Sequence, residues 1–294
     1  KVLQKEAAAR LSASGDYDYI RDEAAARVVD RINDISRTMP MALDVGCGAG
    51  HIARHLAGHG GIETLHGVDV WCCCRAHGCV CVLTEACAVE YHRTEADAEE
   101  GLPFEDDTFD IVLSSMALHW VNDLPRCMAN IRRVLKPDGV FMGVMPGGET
   151  LVELRTAFVA AETERDGGVS PHLSPTVQVS DAAHLLGATG FTIPTVDTDF
   201  IEVEYRDAFL LMEHLQAMGE NNASLARRPA ISRDLLLATA AAYQGMHGRE
   251  DGSVPATLQL VYMIGWKPHA SQPKPLRRGS AQASLKDIGK LRPK

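Results

Sequence analysis

No apolar run in this sequence approaches the roughly 20 residues that a membrane-spanning helix needs, so a helical integral membrane protein is excluded. No His-x-Asp or His-x-Glu pair occurs, which removes the iron-binding signature of the common 2-oxoglutarate oxygenases. The cysteines lack the order of a disulfide framework. Six of the eight crowd between Cys72 and Cys87, in a chain of 294 residues that is long enough to build a core without cross-links. Reduced thiols are expected. The Cys-rich stretch around His77 has no paired knuckles and no second cluster at zinc-finger distance, so no metal site is expected. It also lacks the amphipathic period of a crossover helix. Cationic excess is missing too: the net charge is −10, which argues against wholesale nucleic-acid binding. The exception is the end of the chain, where eight Lys and Arg residues from Lys267 onward stand against Asp287 alone. That stretch reads as a solvated tail or a contact for an acidic partner or surface. The first residues, Lys1-Val2-Leu3, leave a targeting segment open.

What the chain does have is an apolar content of 46%, ample for a core, and one strongly patterned segment. Met41-Ala42-Leu43-Asp44-Val45 is a short apolar run. It meets glycines at 46, 48 and 50 and then His51–Leu56, which has helical spacing. Strand, tight turn and helix in that order form a nucleotide cradle. Glycine is needed in such a turn for its backbone angles and for close approach of a ligand. The spacing is not the G-x-G-x-x-G of dinucleotide enzymes, and Asp44 precedes it. A carboxylate there repels a pyrophosphate but attracts a cationic, amino-acid-like ligand such as S-adenosylmethionine. The segment resembles the first motif of the class I S-adenosylmethionine-dependent methyltransferases.

Along the chain, Asp16–Ile35 predicts a helix with Ile20, Ala24, Val28, Ile32 and Ile35 on one face. Thr64–Asp69 predicts a second strand, whose terminal Asp69 is placed to take ribose hydroxyls or to cap a helix. Phe109–Ser115 has the β-branched, apolar character of a central strand buried on both faces. Its exit, with His119 and Trp120, lies where such sheets place their chemistry. A helix over Leu124–Leu135 is expected to stop at Lys136-Pro137-Asp138-Gly139, ahead of a fifth strand at Val140–Met145. Further helices are predicted at Thr150–Arg165, at Asp181–Ala188 with Ser180 as cap, at Asp207–Met218 and at Ser232–His247. Strands are predicted at Phe191–Tyr205 and Thr257–Trp266. Gly167–Pro175 reads as a loop, either a lid or a rigid connector. The fold class is α/β: a doubly wound, seven-stranded, mostly parallel sheet. One domain over residues 41–267 is expected, with a helical lead-in over 1–40 and a basic tail over 268–294.

More specific stretches follow in order: Leu118–Pro125, Leu135–Gly139, Gly147–Leu151, Ser170–Pro175, Met218–Asn221, Glu250–Thr257 and Arg278–Ser280. With the glycine cradle they resemble, over nearly the whole chain, the mitochondrial complex I assembly factor 5 family, methyltransferase-like proteins that hydroxylate an arginine. The departure is Trp71–Tyr91, where the family has a helix and a strand without a cysteine cluster. The resemblance implies S-adenosyl-L-methionine as cofactor, held by Asp44, Gly46, Gly48, Gly50, Asp69, Asp97, Ser114 and Leu118. Asp97 is the acid expected to face the adenine amino group, unless it belongs to a solvated acidic loop. His119, Trp120 and Glu149 are the catalytic candidates. Glu149, Asp123 and Glu220 are candidates to orient a substrate guanidinium by paired hydrogen bonds. The implied partner is the PSST-type iron–sulfur subunit of complex I, in the mitochondrial matrix with peripheral contact to the inner membrane. Two other readings stay open: methyl transfer, as in the malonyl-carrier-protein methyltransferases, and a non-catalytic assembly chaperone.

Overall fold

The computed structural model describes residues 8, 17–70, 89–221, 224, 227, 230–274 and 278–280. Seven strands form one sheet: β1 (Met41–Val45), β2 (Thr64–Asp69), β3 (Glu90–Glu95), β4 (Phe109–Ser115), β5 (Leu135–Pro146), β6 (Thr192–Tyr205) and β7 (Val254–Trp266). Their spatial order is β3-β2-β1-β4-β5-β7-β6, with β7 antiparallel to both its neighbours and β1 to β5 parallel. The α-helices are α1 (Tyr19–Ile32), α2 (His51–His55), α3 (Leu124–Val134), α4 (Val152–Arg165), α5 (Val179–Ala188), α6 (Ala208–Met218) and α7 (Arg233–His247).

The two faces of the sheet follow from the period-2 alternation of its strands. Ala42, Ile111, Leu113, Val140, Met142 and Val144 face α1, which contributes Ala24, Val28 and Ile32. Their neighbours in sequence, Leu43, Val112, Phe141 and Met145, face α3 and α5 through Met128, Ile131 and Leu186. The lead-in helix thus packs into the core of the sheet. Arg27 and Arg31 on its outer side reach Asp199 and Asp197 of β6. A third apolar cluster joins α4, α6 and α7 to the start of β7 through Phe158, Leu211, Leu215 and Tyr243.

Several boundaries differ from the sequence reading. The first helix ends at Ile32 and its described part begins at Tyr19. Leu135 does leave the helix, but directly into β5 by pairing with Phe109; a register shift after that pair absorbs the proline-containing stretch. Helix α4 begins two residues late because Leu151 sits in the left-handed region at φ +52°. Ser180 is inside α5, whose first free N–H groups, at Asp181 and Ala182, donate to the Gln178 carbonyl. β7 begins three residues early, at Val254, opposite Tyr205. The Cys72–Cys87 stretch and residues 281–294 lie outside the described residues.

The 167–175 loop is pinned to α4, as a connector would be. Buried Glu162 accepts from the Ser170 N–H at 2.9 Å and from the Ser170 hydroxyl at 2.8 Å, and its Oε1 lies 2.9 Å from His172 Nε2. The His172 ring stacks on Phe158 with centroids 4.1 Å apart. Burial raises the Glu162 pKa, but the hydrogen bonds from Ser170 and His172 outweigh it and hold the carboxyl below its ordinary value. A depressed carboxyl pKa adds stability above the unfolded pKa and loses it as pH falls through the folded one. Glu162→Gln is therefore expected to cost about 2 kcal/mol at neutral pH, the scale of hydrogen bonds to a buried charge. Denaturant unfolding at several pH values should show that difference shrinking below the ordinary glutamate range.

Candidate functional site

The sheet changes winding direction between β1 and β4, and in such folds the crevice at the carboxyl ends of the strands there is the binding site. A cleft of about 600 Å³ opens at that place. Its floor is the turn after β1. Gly46 and Gly48 adopt φ +78° and +50°, and the turn is tied to β2 by the Gly46 N–H on the Val68 carbonyl at 2.7 Å and the Gly48 N–H on Asp69 Oδ2 at 2.8 Å. The two glycines have different jobs. A Cβ on Gly46 would lie 2.2 Å from the Ala117 Cβ, so that glycine permits the β1 turn to pack under the β4 exit. A Cβ on Gly48 would meet, among the described residues and apart from its chain neighbours, no atom within 4 Å, and Gly48 lines the cleft.

Of the residues singled out from sequence, Asp44, Gly46, Gly48, Asp69, Asp97, Leu118 and Trp120 line the cleft. Four others do not. Gly50, at φ +80°, is the residue before α2 and donates to the Cys47 carbonyl, closing the turn. The Ser114 hydroxyl is buried in the sheet, donating to the Val45 carbonyl at 2.7 Å; strand alternation puts its neighbour Ser115 on the cleft instead. His119 lies behind the wall, buried, with Nε2 3.0 Å from Glu220 Oε2. Glu149 is exposed in the turn after β5, its N–H held by Gln259 Oε1 at 3.0 Å. Asp123 caps α3 through the Arg126 N–H at 3.1 Å. The cleft also recruits Asp18, Arg21, His51 and Glu99, which nothing in the sequence pattern brought together. Only His51, directly after the third glycine, carried a local signal.

Two polar atoms on this cleft are buried without a hydrogen-bond partner, Asp44 Oδ1 and Ser115 Oγ. Leaving such groups unsatisfied costs about 1–3 kcal/mol each, so a ligand that donates to them is favoured. Burial pushes the Asp44 pKa up to about 8, with the Asp69 charge adding to it and Arg93 opposing. Burial also raises the Cys47 thiol to about 12 and keeps it protonated. Burial lowers the His51 pKa against the opposing pull of Asp18 and Asp22, so this ring is neutral at physiological pH. Among the described residues, five acidic side chains line the cleft (Asp18, Asp44, Asp69, Asp97 and Glu99) against one guanidinium, Arg21. Such a surface favours cationic ligands. Among the described residues, no group of three or more His, Cys, Asp or Glu side chains is placed to hold a metal ion.

Comparison with known proteins agrees with this geometry. Residues 43–143 match the methyltransferase domain family, which takes in β1 to β5 and hence most of the cleft. The mitochondrial arginine-hydroxylase NDUFAF5 of Danio rerio is 49% identical over 291 residues, 99% of this chain and 88% of that protein. The chain belongs to the arginine-hydroxylase NDUFAF5 family. A malonyl-[acyl-carrier protein] O-methyltransferase of Methylovorus is 30% identical over 88% of this chain and 86% of its own. The YcgJ protein of Bacillus subtilis, at 18% identity, superposes with a TM-score of 0.55 over 82% of this chain and 98% of that one, which shows the fold. The match to the hydroxylase family spans 99% of the chain and so extends on both sides of the matched methyltransferase domain.

The two glycines separate stability from binding. Gly46→Ala is expected to cost more than about 2 kcal/mol, from left-handed backbone strain plus the overlap with Ala117. Gly48→Val should cost only the backbone strain, about 1–2 kcal/mol, yet abolish S-adenosylmethionine binding in calorimetry. A folded Gly48→Val protein with unchanged affinity would rule out the cleft as the cofactor site. Asp44 generates a pH prediction. Because its folded pKa lies near 8 and its unfolded value near 3.8, its contribution is fully present below the lower value and lost as pH rises through the upper one. Thermal unfolding of the ligand-free protein should therefore show Asp44→Asn gaining on the wild type steadily across that window.

Proposed function

We propose that this chain is an arginine hydroxylase that binds S-adenosylmethionine in the cleft and acts on the PSST-type iron–sulfur subunit during assembly of mitochondrial complex I. The observation that carries the reading is near-half identity, across 99% of the chain, to proteins named mitochondrial arginine-hydroxylases. An acidic cleft suits the substrate, because a guanidinium is a planar, permanently charged cation.

The residues present fit the cofactor. Asp44 Oδ1 and Ser115 Oγ are the buried acceptors that an amino-acid ammonium group would satisfy, and the space beyond Gly48 admits its backbone. Asp69, held in place by the Gly48 N–H, would take the ribose hydroxyls, and Asp97, held by the Glu99 N–H at 2.9 Å, would serve the adenine amino group. When bound, S-adenosylmethionine supplies a sulfonium cation with an electrophilic methyl group. The Trp120 indole donates to Glu220 Oε1 at 3.4 Å and is thereby fixed as an apolar wall of the cleft. Work in the matrix with peripheral contact to the inner membrane suits the reading, since no helix of the described residues is long and apolar enough to cross a membrane.

Methyl transfer to a malonyl group is the competing chemistry, and the cleft charges oppose it. With Asp44, Asp69 and Asp97 given to the cofactor, a malonyl carboxylate would still meet Asp18 and Glu220, and the one guanidinium among the described lining residues is already engaged by those two. The deciding measurement is the mass of the iron–sulfur subunit matured with and without this protein. One added oxygen on an arginine is the expected result. One added methylene would return the chain to methyl transfer, and an unaltered subunit in an active complex would make it a chaperone.

A further inference from the structure

The acceptor end of the cleft is already filled by an arginine of the chain itself. Arg21, in the first turn of α1, reaches the end of α6. One of its terminal nitrogens donates to Asp18 Oδ1 at 3.2 Å, and the other donates to Glu220 Oε1 at 3.2 Å and to the Met218 carbonyl. Glu220 is 9% exposed and is held in turn by His119 and by the Trp120 indole. Arg21, Asp18, Trp120 and Met218 all line the cleft, and the Arg21 and Asp18 side chains remain 23% and 26% exposed, so this seat opens onto the cavity. Two carboxylates and a carbonyl arranged around one planar fork are what any guanidinium needs. A substrate arginine presents the same donors in the same plane.

We propose that Asp18, Glu220 and the Met218 carbonyl form the seat for the guanidinium of a substrate arginine, and that Arg21 is its resident occupant, displaced when the substrate enters. The proposal rests on the arginine-substrate reading above and deepens it. The apparent dissociation constant for a substrate is the intrinsic one divided by the fraction of molecules whose site is open, so a resident competitor weakens binding and also shields the Glu220 carboxylate between turnovers. The seat lies beside Trp120, and none of Asp18, Met218 and Glu220 is among the residues given to the cofactor.

The test is calorimetric titration of the full chain with a short peptide carrying one arginine, and with the same peptide carrying lysine instead. Arg21→Ala empties the seat. Arg21→Gln, which keeps a donor for the Met218 carbonyl, is the second variant should alanine prevent folding. Either is expected to bind the arginine peptide at least tenfold tighter than the wild type, with the lysine peptide changed less than twofold. Adding Glu220→Gln to either should remove the gain. A folded Arg21 variant that binds the arginine peptide no better than wild type, or that gains equally for lysine, overturns the proposal. Hydroxylation by the wild type alongside that negative result would leave the hydroxylase reading standing. Tight arginine binding with no oxygen transferred would sink the hydroxylase reading and leave the seat.

Discussion

The cleft depends on a left-handed glycine turn that is hydrogen-bonded to the neighbouring strand. Gly46 and Gly48 take backbone angles that other residues resist, and their N–H groups are spent on Val68 and Asp69 of β2. Those bonds bring the tip of β1 against the tip of β2, and the lack of a Cβ on Gly46 lets Ala117, after β4, close from the other side. The crevice is therefore a consequence of three strand ends converging on a turn that only glycine can make. The rest of the sheet, sealed on both faces by α1, α3 and α5, holds those ends in register.

Charge is the second constraint. Asp44 is buried with an unpartnered oxygen, at a site where ionising it is unfavourable without a cation. Behind the cleft-lining Arg21 and Trp120, Glu220 is buried too, but there a guanidinium from the chain has been supplied. The two sites thus show two solutions to one problem: a carboxyl group kept protonated until a cationic ligand arrives, and one paired with an internal guanidinium. Both make the cavity selective for cations.

The polar network at the acceptor end also joins distant parts of the chain. Asp18 and Arg21 come from the lead-in, Trp120 from the β4 exit, and Glu220 from the end of α6. The 167–175 loop, pinned through Glu162 and His172, bridges to the same region by the pairing of Leu173 with Asn221. Closing this end requires the folded lead-in and the segments that follow β5, which are the parts beyond the common methyltransferase domain.

By itself the sequence determined the doubly wound sheet, because hydrophobic period and glycine position are local properties. Phe109–Ser115 and Thr64–Asp69 form strands over those residues. The turn with Asp44, Gly46 and Gly48, the acids Asp69 and Asp97, and Leu118 and Trp120 were likewise legible, since strand ends in this topology converge on one crevice. Ser114 was misplaced by one residue, which in a strand means the opposite face. Only the tertiary structure decided the roles of the acids away from the motif. Asp123 spends its carboxylate on a helix cap, Glu149 stands outside the cavity, and Glu220 is buried against an arginine 199 positions earlier. No spacing rule connects Arg21 to Glu220. Their meeting depends on how α1 and α6 pack around the sheet, and that packing is set by the summed burial of many apolar side chains.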